Sequence, residues 1–166
     1  MKIIKLVLIS AVVLFALIMA LSVLLPSHVR ISRAIDIRAR PESIMPFVKD
    51  MQKWKEWNQF IRQADSMKTL TIATSNFIRT SQLEIHLMDL RPDTIHTEWK
   101  QPNGKIFTSD FAFINSGEVT TLQWYFDFHL QWYPWQKFQS IIYDKQMGPS
   151  MEKSLENLRR LVETSQ

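Results

Sequence analysis

Between Lys68 and Leu130 the chain alternates apolar and polar residues through five runs, "KTLTIAT", "FIRTSQLEIHLMDL", "TIHTEWKQ", "KIFTSDFAFIN" and "VTTLQWYFDFHL". A period of two gives a strand one apolar and one polar face. The links are short and rich in turn formers: Thr74-Ser75-Asn76, Arg91-Pro92-Asp93, Pro102-Asn103-Gly104 and Asn115-Ser116-Gly117-Glu118. Links of that length join antiparallel neighbours. The predicted heart of the fold is an antiparallel meander with one face buried.

A one-residue slip exchanges the two faces of a strand, so parity tests the register. A three-residue loop at 91–93 sets Glu84 opposite Lys100 and His86 opposite Glu98. A three-residue loop at 102–104, with Pro102 at a preset φ and Gly104 free to take a positive one, sets Trp99 opposite Phe107, Ile95 opposite Phe111 and His96 opposite Asp110. A four-residue loop at 115–118 sets Phe107 opposite Phe126 and Ser109 opposite Trp124. Each pairing keeps apolar with apolar on one face and complementary polar groups on the other. The apolar face then carries Leu83, Ile85, Leu87, Ile95, Trp99, Phe107, Phe111, Phe113, Leu122, Trp124, Phe126 and Phe128.

Upstream, "VRISRAIDIRA" reads as a first strand with an irregularity near Arg33, where Ala34 falls out of phase. Pro41-Glu42 suits the first turn of a helix running to about Asp50, with Ile44, Phe47, Val48 and Met51 buried. Met51, Trp54, Trp57 and Ile61 continue at helical spacing, which explains both tryptophans as packing groups and puts Lys53, Lys55 and Glu56 in water. The greasy face is covered by a C-terminal helix carrying Phe138, Ile141, Ile142, Met151, Leu155, Leu158 and Val162. Gly148-Pro149 predicts a kink or a division into two parts.

Ahead of all this, "IIKLVLISAVVLFALIMALSVLL" (3–25) contains one charge, Lys5. Roughly 20 such residues span a ~30 Å hydrocarbon core as a helix. A cleaved signal peptide is the alternative, but the run exceeds the usual apolar region of such peptides and the small pair Ala20/Ser22 lies inside it. The expected organisation is a transmembrane anchor over 1–27 and one domain over 28–166. Four arginines (30, 33, 38 and 40) follow the helix and favour a cytoplasmic domain, whereas Lys2 and Lys5 before a long apolar helix favour export; the reading leans to a single-pass protein of a bacterial inner membrane with a periplasmic domain.

The chain has no cysteine, which removes disulfides, thiolate chemistry, lipoprotein acylation and Cys-based zinc sites. Of its 20 basic and 16 acidic residues, six basic and one acidic precede residue 41. The rest is nearly neutral and lacks the charge footprint of a nucleic-acid binder. His86, His96 and His129 fall on the polar face by parity, and His28 lies beside the anchor. His86, His96, Glu98 and Asp110 share one face, but an open sheet face rarely converges ligands to zinc-binding distance, so no metal, catalytic group or cofactor is assigned.

The order of elements, carried by "VRISRAIDIRARPESIMPFVKD", "MQKWKEWNQF", "LQWYFDF" and "MGPSMEKSLENLRRLVE", resembles the SRPBCC superfamily, the START-like group that includes polyketide cyclase/dehydrase-like proteins. The resemblance covers about residues 28–166 and implies an α+β helix-grip fold: a curved antiparallel sheet wrapped around a long C-terminal helix. The chain departs from the allergen-type members in having only three glycines and a short segment between Asn58 and Lys68. The resemblance also implies a cavity between sheet and helix for an apolar ligand. The residues expected to meet that ligand are Trp57, Leu87, Thr97, Trp99, Phe107, Ser109, Phe111, Trp124, Phe126, Met151 and Leu155, with the polar groups of Thr97, Ser109, Trp99 and Trp124 inside. A core packed shut is the competing expectation. "WYPWQKF" (132–138) is expected at the cavity mouth or the membrane interface. Function is read as membrane-tethered binding of a hydrophobic small molecule or lipid; an enzyme of the cyclase/dehydrase or hydrolase kind, or an interaction module without a ligand, are the alternatives.

Overall fold

The computed structural model describes residues 2–24, 27–130 and 134–165, with the side chains of 2, 23, 24 and 134–141 left aside. A helix, α1 (Lys2–Leu24), precedes the domain, and its stretch Ile3–Ser22 is long and apolar enough to cross a membrane. Strand β1 (His28–Ile37) follows, then α2 (Pro41–Lys49), a single 3-10 turn (Met51–Lys53), α3 (Trp54–Trp57) and α4 (Gln59–Ser66). Six strands come next: β2 (Leu70–Ala73), β3 (Phe77–Thr80), β4 (Glu84–Leu90), β5 (Thr94–Lys100), β6 (Ile106–Ser116) and β7 (Val119–His129). Helix α5 (Pro134–Thr164) closes the chain. The seven strands form one antiparallel sheet in the order β1-β7-β6-β5-β4-β3-β2, so the first strand pairs with the last.

The hairpin at 102–104 has the expected register, with Trp99 opposite Phe107, Ile95 opposite Phe111 and His96 opposite Asp110. Gly104 takes the φ of 80° that its place in the loop requires. The next hairpin differs from expectation. Ser116 pairs with Val119 across a two-residue turn, Gly117-Glu118, and Ser109 faces Phe126 instead of Trp124. Gly117 has φ 81°, which lets the chain reverse in two residues, and Asn115 and Ser116 stay in the strand. The offset is two residues, so every side chain keeps its face.

Two further expectations are corrected in β3–β5. Glu84 does face Lys100 and His86 faces Glu98, but a bulge at Met88 shifts the pairing to Asp89 opposite His96 and Leu90 opposite Ile95. The loop at 91–93 is shorter than expected, with Arg91 N–H bonded to Thr94 O, and the bulge absorbs the difference. The run 77–90 is two strands, because the Thr80 hydroxyl accepts the N–H groups of Gln82 and Leu83 and builds a turn there. β1 shows no irregularity at Arg33: it pairs with β7 without a shift from His28/His129 to Ile37/Thr120.

Among the described residues twenty-four apolar side chains form one core, including Trp54, Trp57, Ile61, Trp99, Phe111, Trp124, Phe126, Met151, Leu155, Leu158 and Val162. Trp54 and Trp57 are fully buried within the aromatic cluster, as packing groups. Burying each contributes about 2–3 kcal/mol. Helix α5 ties the short helices down: Ser154 Oγ accepts the N–H of Gln59 at 2.8 Å, and Asn157 Nδ2 donates to Trp57 O at 3.2 Å. α5 runs as one helix through Gly148 and Pro149, which excludes a division into two parts. Both Pro149 and Lys145, whose carbonyl loses its partner four residues on, are exposed, so water can satisfy that oxygen. Ile142 is 50 % exposed and does not cover the sheet; the side chains of Phe138 and Ile141 lie outside the described residues.

Candidate functional site

Between the β5–β6 hairpin, the end of β7, α4 and the first half of α5 lies a half-open cleft of about 740 Å³. Its buried and half-buried walls are Phe60, Leu83, Trp99, Phe107, Phe128, Leu130, Tyr143 and Met147. Phe107 and Phe128 stack at 5.0 Å between ring centres, and Tyr143 of α5 continues the row 5.0 Å from Phe128. More polar groups edge the opening: Gln82, Gln101, Asn103, Lys105, His129 and Gln146. No carboxylate is among the described residues that line it. The size and the mix of apolar walls with a few edge donors are those of small-molecule sites.

Deeper in, the space is filled. Thr97 Oγ1 donates to Ser109 O at 2.9 Å and accepts the indole N–H of Trp99 at 3.1 Å; Ser109 Oγ accepts the indole N–H of Trp124 at 2.7 Å. Both hydroxyls are fully buried. Their strand positions, paired directly across β5 and β6, create this network. Buried polar groups of this kind are stable because each has a partner. Trp57, likewise buried, donates its indole N–H to Phe47 O at 3.0 Å. One buried amide, Asn58 Nδ2, has no partner among the described residues; its Oδ1 caps α4 by accepting the N–H of Phe60.

The eleven residues expected to meet a ligand therefore fall into three places. Trp99 and Phe107 line the cleft. Trp57, Thr97, Ser109, Phe111, Trp124, Phe126, Met151 and Leu155 are buried in the core behind it. Leu87 is half-buried on a separate shallow depression beside Pro46, Lys49 and Asn76. Of the other walls, Leu83 and Phe128 lie on the apolar face read from parity and Leu130 follows β7, whereas Phe60, Tyr143 and Met147 come from helices and have no counterpart in strand parity. Only the aromatic character of Phe60, three residues beyond Trp57, could have pointed to any of them. "WYPWQKF" lies partly outside the described residues, and no side chain of it is described.

The opposite face of the sheet carries the charged groups. Arg30 grips Asp127 through two bonds of 2.7 Å and lies 4.1 Å over the ring of Tyr125. Those bonds hold the Asp127 carboxyl below its ordinary value and raise that of Arg30. Burial pushes the Tyr125 phenol up, and the nearby Asp110 adds to it. His96 Nδ1 meets Asp110 Oδ1 at 2.5 Å, and the rings of His28 and His129 lie 4.8 Å apart. Among the described residues no three His, Asp or Glu side chains are arranged to hold a metal ion.

One inward-phase position of β1 is polar. Arg33, beneath α5, bonds Glu152 at 2.7 Å, Asp144 at 3.0 Å and Ser32 O at 2.9 Å. The bonds to Glu152 and Asp144 raise its pKa. Gly148 stands directly over it. The sequence marks this position only as a break in the alternation.

Comparison with known proteins follows the same lines. No curated protein sequence matches the chain. Solved structures with the same fold include DynU16, a putative protein in the dynemicin biosynthetic locus (TM-score 0.58, 15 % identity, 85 % of this chain and 49 % of DynU16). They also include protein SA2116 of unknown function from Staphylococcus aureus (0.61, 14 %, 83 % and 95 %) and a START superfamily protein from Mycobacterium smegmatis (0.56, 16 %, 82 % and 99 %). The chain thus spans about half the length of DynU16 and nearly all of the other two, and identities this low establish the fold alone. The sequence profile described as polyketide cyclase / dehydrase and lipid transport matches residues 28–163, the whole of the sheet and nearly all of α5, and the chain belongs to that family.

Proposed function

We propose that the protein binds a hydrophobic small molecule or lipid in the cleft between sheet and α5, with residues 1–27 as a membrane anchor and 28–166 as the binding domain. The observation that carries this reading is the cleft itself: about 740 Å³, aromatic and aliphatic within, and edged by amide donors and Lys105. Such an edge favours an apolar molecule with an acceptor-bearing head. Catalysis needs titratable groups converging on a reacting atom. Ser109 Oγ accepts the indole N–H of Trp124 and Ser109 O accepts the Thr97 hydroxyl, which in turn accepts the indole N–H of Trp99; no imidazole or carboxylate is among these described partners. That favours binding over the cyclase or hydrolase alternative.

The anchor reading is supported by the length and apolarity of α1. Of the arginines that argue for a cytoplasmic domain, Arg30 and Arg33 belong to a folded strand and are paired with Asp127, Asp144 and Glu152. Charges inside a long domain count little toward orientation, which leaves Lys2 and Lys5 and supports a periplasmic domain on a bacterial inner membrane. The test is native mass spectrometry and organic extraction of the full chain, purified in mild detergent. A stoichiometric apolar molecule is expected; a chain isolated empty that also fails to bind a fluorescent fatty acid would sink the reading.

A further inference from the structure

The cleft opens at one end of the sheet, and strand direction identifies that end as the one where the chain arrives from α1. β1 begins there at His28, β7 ends there at His129, and the β3–β4 turn and the β5–β6 hairpin reverse there. The contact is direct: Ser27 O accepts the N–H of Leu130 at 2.8 Å, and Leu130 lines the cleft. The turns at 91–93 and 117–118 lie at the far end.

Register gives the height of the hairpin. Arg30, Asp127, Thr108 and Glu98 form one row across β1, β7, β6 and β5. Ser27 lies three residues beyond Arg30 and Gln101 three beyond Glu98, so each stands about 10 Å past the row on the same side. The tip Pro102-Asn103-Gly104 therefore projects past Ser27, where the chain joins the sheet. Lys100 and Lys105 flank the tip, no acid lies between them, and Ile106 beside them is 54 % exposed. Neither lysine enters an ion pair among the described residues.

The tether leaves little slack. From Leu24 to His28 the chain can reach at most about 14 Å, against a headgroup layer roughly 5–8 Å thick on each side of the bilayer. Ser22, in the last turns of α1, is 2 % exposed, and α1 packs against α5. The domain rides close against its anchor.

We propose that the β5–β6 hairpin, Gln101 to Ile106, is a membrane-docking surface: it rests in the phospholipid headgroup layer of the bilayer that α1 crosses, and the cleft opens onto that layer. The docking rests on reading α1 as a membrane span. What the cleft takes from the bilayer rests on the binding function proposed above.

The chain has no cysteine, so an introduced one is a unique label. Full-length Lys105→Cys and Ile106→Cys, at the hairpin, and Glu118→Cys, at the far end, are each labelled with an environment-sensitive fluorophore. They are then placed in nanodiscs of phosphatidylcholine and phosphatidylglycerol containing a headgroup-nitroxide lipid. The expected result is a blue-shifted emission and several-fold stronger quenching at 105 and 106 than at 118. Equal quenching at the two ends overturns the docking surface. Two hairpin positions guard against one label disturbing the turn. An organic extract of the Glu118→Cys sample, whose cleft residues are unaltered, separates the two claims: quenching at the hairpin with no bound apolar molecule supports docking and removes the ligand, whereas a bound molecule without that quenching overturns docking and leaves the ligand standing.

Discussion

The guanidinium of Arg33 occupies the place that a side chain on Gly148 would take: a Cβ built there would lie 2.3 Å from Nη2. This contact joins the first strand to the middle of α5 at the residue preceding Pro149. It also gives the glycine a packing reason to be there, in a helix interior where glycine costs about 1 kcal/mol relative to alanine.

Gly148→Ala sets helix propensity against that clash. Arg33 can swing away only by giving up its bonds to Glu152 and Asp144, which are partly exposed and worth about 0.2–1 kcal/mol each. The substitution is expected to be near neutral in the native chain and to stabilise by about 0.5–1 kcal/mol in an Arg33→Ala background. A double-mutant cycle by urea unfolding of the detergent-solubilised protein measures this; the same effect in both backgrounds would show the contact to be irrelevant.

Trp57→Ala removes a fully buried indole that meets the rings of Phe111 and Trp124 edge-on. A loss of about 3–5 kcal/mol is expected. Trp57→Phe keeps much of the volume but leaves Phe47 O without its donor, and should cost about 1–3 kcal/mol. Denaturation midpoints of the two variants check the order, which a surface position would not produce.

Asp127 makes acid stability dependent on Arg30. Its carboxyl is held below the ordinary value of 3.8 mainly by its hydrogen bonds to Arg30. The stabilisation is therefore complete above that value and is lost as pH falls through the lower folded one. Arg30→Met should cost about 1 kcal/mol near neutrality, since Arg30 is half-exposed, and should flatten the loss of stability below pH 3.8. Urea midpoints followed from neutral pH downward give the comparison, and parallel curves for the two proteins would contradict it.

Thr97→Val and Leu83→Trp probe two depths of the same end of the domain. The first leaves the Trp99 indole N–H without its acceptor inside the core and should cost about 1–3 kcal/mol while sparing ligand occupancy in the folded protein. The second puts a large ring into the cleft and should lower ligand occupancy several-fold with little change in midpoint. Occupancy by native mass spectrometry and stability by urea unfolding, measured on both, would show whether ligand and core are separate.

Strand faces were legible because parity survives errors in loop length. The 115–118 hairpin is the clearest case: Asn115 and Ser116 look like turn residues but remain paired, and the two-residue offset still keeps Phe111 and Trp124 on one face. Hydroxyl-built turns were not legible, since Thr80 does with one side chain what glycine or proline does elsewhere. Nor was the continuity of α5 through Pro149, because whether a helix tolerates a proline depends on whether the orphaned carbonyl reaches water. At the site, alternation named an inner face but not depth along it. Trp99 and Phe107 at the open end and Trp124 and Phe111 in the filled centre have the same pattern, and the walls supplied by Phe60, Tyr143 and Met147 depend on how the helices dock.

The pairing of β1 with β7 also fixes an order of events. His28 and His129 are partners, yet they lie 101 positions apart in the chain. At roughly 5–20 residues per second, synthesis of that interval takes on the order of 5–20 s, and pairings of such long range form slowly in any case. During that time β1 has been made but the partner for its whole length has not. Until β7 arrives, both edges of the ten-residue β1 stand open to mispairing; pairing closes one of them, and β1 remains an edge strand of the finished sheet.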